Sequence, residues 1–65
     1  MSQFRVVRPD GSVIPCAPGI HREDALWNAR EHDERLARIV QPNRTNNVTQ
    51  AKRAGYDFED LDDSA

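Results

Sequence analysis

The sequence predicts an α+β fold: an N-terminal β-hairpin packed on one long amphipathic helix, followed by a short second helix and an acidic tail. Three observations carry that expectation. A β-branched and aromatic segment, Phe4-Arg5-Val6-Val7-Arg8, runs into Pro9-Asp10-Gly11. Apolar residues from Ala25 to Val40 recur at helical spacing and stop short of Pro42. The last ten residues hold five acids and no base, with aromatic and aliphatic side chains set among them.

Each element has a local cause. Alternation and β-branching make residues 4–8 a strand. In Pro9-Asp10-Gly11 the proline presets φ, and the glycine supplies the positive φ of a hairpin connection. Ser12-Val13-Ile14 then returns, with Phe4, Val6 and Val13 expected on one apolar face. Pro15-Cys16-Ala17-Pro18-Gly19 is linker, since neither strand nor helix continues through it. A helix is expected from about Arg22 to Val40. Glu23 and Asp24 lie in its first turn, and Arg35 and Arg38 lie toward its other end, each sign matching the helix dipole. At about 100° per residue, Ala25, Leu26, Ala29, Leu36, Ala37, Ile39 and Val40 share one sector, the layer that covers the hairpin. Asn47 with Gln50 three positions on reads as a capping box. Val48 to Ala54 forms the second helix, ended by Gly55 in a left-handed conformation. Residues 1–55 are therefore expected to form a single domain, and residues 56–65 a tail that docks or stays disordered.

A chain of 65 residues buries only about 60% of its unfolded surface, so its stability is expected to be small. A single cysteine, Cys16, closes no internal disulfide, and no secretory pattern opens the chain. Together these predict a reducing, cytoplasmic setting. No apolar run approaches the length of a membrane span. The sequons at Asn43 and Asn47 read as loop and cap. Charge is unevenly placed: residues 1–53 carry nine bases and six acids, a net +3, against −5 for residues 56–65. Eight of the nine bases are arginine, which favours bidentate contacts.

Trp27 is the most informative side chain. It projects away from the apolar stripe, among Glu23, Glu31, Glu34, Arg30 and Arg38, where a hairpin-on-helix core has no place for it. Either the tail folds over it or it anchors a partner, tryptophan and arginine being enriched at binding hot spots. Asp33 shares a face with Ala29, Leu36 and Ala37 and needs a cation, for which Arg30 or Arg5 is expected. Cys16, His21 and His32 lack the ligand spacing of a zinc site, so no metal and no cofactor are expected. No nucleophile with a positioned base stands out, and the chain is expected not to be an enzyme.

Arg44, Lys52 and Arg53 form a basic group around the second helix that suits nucleic acid, but the acids after Gly55 would repel a duplex. The tail, with Tyr56, Phe58 and Leu61 among acids, suits a basic groove. The expectation is a small non-enzymatic protein-binding module: an adaptor, inhibitor or assembly component of a larger complex, in the size class of bacterial and phage accessory proteins. Its interface is placed on Trp27, Arg30, Glu31, Glu34, Arg38, Tyr56, Phe58 and Leu61. Nucleic-acid binding and self-assembly are the alternatives.

Overall fold

A computed structural model describes residues 3–61. Strand β1 (Phe4–Val7) buries Phe4 and Val6 and leaves Arg5 and Val7 half-buried, the period of a one-sided strand. Its turn is built as expected. Gly11 has φ +93°, and its amide donates to the Arg8 carbonyl at 2.9 Å. The Asp10 carboxylate accepts from the Ser12 amide and hydroxyl at 2.9 and 2.7 Å. The return leg pairs Val13 with Val7, and the Ile14 amide donates to the Val6 carbonyl at 2.9 Å. Ile14, rather than Val13, fills the buried face beside Phe4 and Val6. It is fully buried, whereas Val13 is half-buried opposite Val7.

Strand β2 (Asp57–Asp60) pairs with β1 antiparallel, with Val6 opposite Phe58 and Arg5 opposite Glu59. The first part of the segment read as an acidic tail is therefore docked as a strand through Asp60, and residues 62–65 of that segment lie outside the described residues. β1 is central, and its backbone groups divide between two neighbours. Phe4 exchanges both bonds with Gly19, at 2.8 and 3.0 Å, and Val6 accepts from Ile14. That leaves positions 5 and 7 to face β2, in line with the Leu61 amide donating to the Gln3 carbonyl at 2.8 Å.

The helical run keeps its predicted span and apolar stripe but is interrupted. Helix α1 (Arg22–Ala29) passes through one 3₁₀ turn (Arg30–His32) into extended Asp33, which caps helix α2 (Glu34–Ile39). The Asp33 carboxylate accepts from the Arg35 and Leu36 amides at 3.0 and 3.2 Å. A short carboxylate competes with helical hydrogen bonds mid-helix and satisfies orphan amides at a new N-terminus, so the chain breaks at that residue. Gly19 closes the linker against α1 so tightly that any side chain there would meet the Asp24 and Ala25 backbone.

Helix α3 (Asn47–Arg53) ends in a Schellman motif. The Gly55 and Tyr56 amides donate to the Lys52 and Ala51 carbonyls, both at 3.0 Å, and Gly55 has φ +101°. The start of α3 departs from the expected capping box. Asn46 is the cap residue and gives no side-chain bond. Asn47 is buried and turns its amide onto the loop before it. Its Oδ1 accepts from the Gln41 amide at 3.1 Å, and its Nδ2 donates to the Gln41 carbonyl at 3.0 Å.

The core draws on every layer: Phe4, Val6 and Ile14 from the hairpin, Ala25, Leu26 and Ala29 from α1, Leu36 and Val40 from α2 and its end, Ala51 from α3, and Tyr56. No helix among the described residues is long and apolar enough to cross a membrane.

Candidate functional site

The inward turn of Ala25, Leu26 and Ala29 sends Trp27 outward, where it is 45% exposed. The Arg30 guanidinium lies 4.5 Å from the centroid of its ring. Arg30 Nε is buried there without a hydrogen-bond partner, so the contact is face-on rather than hydrogen-bonded. Trp27 forms the ridge between two clefts. The larger, about 310 Å³, has Glu23, Asp24 and Trp27 on the α1 side and Gln41, Pro42, Arg44 and Asn47 opposite. The smaller, about 170 Å³, brings Trp27 together with Cys16, Ala17, Asn28, Glu31 and His32.

The wall facing Trp27 is held by side-chain bonds to backbone. Besides the Asn47–Gln41 clamp, Gln41 Nε2 donates to the Arg38 carbonyl at 2.9 Å and Arg44 Nη1 to the Ile39 carbonyl at 3.0 Å. These bonds fix the loop between α2 and α3, and with it the shape of the cleft.

Of the residues expected at an interface, Trp27, Arg30 and Glu31 are brought together. Glu34 and Arg38 are exposed on α2 but line neither cleft, because the break at Asp33 ends the turn that would have carried them alongside Trp27. Tyr56 is 3% exposed and belongs to the core. Phe58 is half-buried, with the Lys52 ammonium 6.0 Å from its ring centroid. Leu61 is exposed but away from both clefts. The described part of the tail leaves Trp27 uncovered. Sequence reasoning missed the opposite wall. Glu23 and Asp24 were visible four and three positions before Trp27, on its side of the helix. Gln41, Pro42, Arg44 and Asn47 reach it only through tertiary packing.

Asp33 is the polar hub of the fold rather than a partner of Arg30 or Arg5. Its Oδ2 accepts from Arg8 Nε at 3.3 Å and from the Tyr56 hydroxyl at 3.1 Å, joining the hairpin, the helix break and the C-terminal strand. Burial opposes its ionisation. The Leu36 amide, the Tyr56 hydroxyl, the Arg8 guanidinium and the Arg35 amide together outweigh that and hold the carboxyl below its ordinary value. Tyr56 moves the other way, pushed up by burial and by its bond to the Asp33 carboxylate.

The basic group splits. Arg44 is drawn to the Ile39 carbonyl, Lys52 lies over Phe58, and Arg53 is exposed at the end of α3, the helix that leads into the acidic strand. Burial pushes the Cys16 thiol up, against the pull of Arg5, which keeps it the protonated thiol. Cys16 and His32 share the smaller cleft without His21. No group of three or more histidine, cysteine or carboxylate side chains among the described residues is placed to hold a metal ion. Comparison with protein-family models, curated proteins and solved structures finds no match.

Proposed function

We propose that this chain is a non-enzymatic protein-binding module, an adaptor, inhibitor or assembly component, whose interface is centred on Trp27. The observation that carries the reading is a 45% exposed tryptophan standing between two clefts on a helix whose other face is fixed in the core. A large, rigid, amphipathic side chain held this way loses little entropy on being covered and gains much apolar contact. Arg30 stacked on the ring and Glu31 beside it supply a polar rim.

The test is capture of a protein partner by the immobilised chain, with the partner identified by mass spectrometry and then titrated as a purified protein. Trp27→Ala is expected to weaken that complex by about 2 kcal/mol or more, as for a hot-spot residue, with the circular dichroism of the free chain unchanged. Leu61→Ala, away from both clefts, is expected to leave it intact. A folded Trp27→Ala chain that binds the partner at full strength would refute the reading.

A further inference from the structure

The larger cleft beside Trp27 has a chemistry that goes beyond an apolar anchor. Glu23 and Asp24 precede Trp27 by four and three residues, so all three line the same wall. Neither carboxylate has an ion-pair partner among the described residues. Arg22 lies over the Phe4 ring at 4.7 Å, and Arg44, on the opposite wall, is tied to the Ile39 carbonyl at 3.0 Å, so the cleft lining keeps an excess of one negative charge. The indole already accepts one guanidinium on its face, that of Arg30 at 4.5 Å. The cleft of about 310 Å³ is at the small end of ligand sites and suits one long side chain.

We infer that this cleft receives an arginine or lysine side chain of the partner protein. The cationic head lies between Glu23 and Asp24, and the aliphatic stem lies along Trp27. An aromatic face with two nearby carboxylates attracts a cation through the ring quadrupole and through charge, and the stem covers the apolar edge of the indole. The firmly held Gln41–Arg44 wall leaves the cleft open without rearrangement. This inference rests on the interface reading given above and adds the chemistry of the residue that fills it.

The test titrates N-acetyl-arginine amide, and its neutral isostere N-acetyl-citrulline amide, into the isotope-labelled chain. The indole N–H of Trp27 and the amides of Gln41, Arg44 and Asn47 report on the cleft. The arginine compound is expected to move these signals and the citrulline compound to bind about tenfold more weakly, with the difference shrinking as salt is raised. Glu23→Gln with Asp24→Asn is expected to bring arginine binding down to the citrulline level. Equal binding of the two compounds to the wild-type chain, or no response at the cleft, overturns the inference, and neither outcome depends on a variant that must fold. In the capture assay, a partner lost by Trp27→Ala but kept by the folded charge variant overturns the cation assignment alone. Arginine-selective binding in the cleft, with capture indifferent to Trp27→Ala, overturns the interface reading alone.

Discussion

Asp33 accepts four hydrogen bonds with one carboxylate. It caps α2 through two amides, receives the Arg8 guanidinium and receives the Tyr56 hydroxyl. Asp33→Ala removes a helix cap, worth about 1 kcal/mol, and leaves the Tyr56 hydroxyl without its acceptor, worth about 1–3 kcal/mol more. Urea denaturation should therefore show a loss of about 2–4 kcal/mol, whereas Tyr56→Phe, which deletes both the donor and its need, should lose about 1 kcal/mol. Equal losses for the two variants would show that neither the cap nor an orphaned hydroxyl adds a cost of its own. The pH dependence has two limbs of opposite origin. The Asp33 carboxyl titrates lower in the folded chain than in the unfolded one, so its stabilisation is present above the unfolded value near pH ~4 and is lost as pH falls through the lower folded value. Tyr56 titrates higher when folded, so its contribution is present below about pH 10 and is lost as pH rises through the raised value. Denaturation midpoints measured across pH should lose part of the acid limb in Asp33→Asn and part of the alkaline limb in Tyr56→Phe.

At the scale of elements, the chain announces its turns more clearly than its pairings. Pro9-Asp10-Gly11 and Gly55 fold as their residue types dictate, because positive φ is a local demand that glycine meets alone. The apolar stripe from Ala25 to Val40 gave the helical span, since burial keeps its period across the interruption. The break itself was hidden. Asp33 stands out as a carboxylate near the core, but its partners Arg8 and Tyr56 are 25 and 23 residues away, and nothing local names them. Strand β2 was hidden by its charge: Tyr56 and Phe58 alternate with acids at the period of a strand, yet the acid content reads as a tail. Gly19 shows a second kind of demand, close approach rather than φ. Gly19→Ala would drive a methyl group into the Asp24–Ala25 backbone, so the first turn of α1 or the Phe4–Gly19 bridge must shift. A loss of about 1–3 kcal/mol is expected, as for overpacking in a tight site. A thermal melt of Gly19→Ala superimposing on the wild type would show that the linker yields freely.

For the molecule as a whole, the first and last strands close the fold on each other. β1 begins at Phe4 and β2 ends at Asp60, and their pairing carries Tyr56 into the core. Among the described residues, those up to Gly55 hold the hairpin, the helices and nine of the ten buried apolar residues that form the core. By composition they look sufficient, but the energetic balance predicts that they are not. A single core of this size supplies only about 3–5 kcal/mol of net stability. Removing a buried aromatic side chain alone costs about 3–5 kcal/mol. Ending the chain at Gly55 also strips β1 of its ladder partner, uncovers the Arg8–Asp33 pair and takes away the Tyr56 amide that completes the Schellman motif of α3. The losses match or exceed the whole stability, so a chain stopped after Gly55 is expected to be unfolded at 25 °C, with weak helical circular dichroism and no cooperative urea transition. Adding a synthetic peptide of residues 56–65 in excess should restore part of the helical signal, because the lost contacts are intermolecular opportunities once the covalent link is cut. A truncated chain that unfolds cooperatively on its own would mean that the hairpin and helices hold together without β2, and that the C-terminal strand is an accessory to the fold.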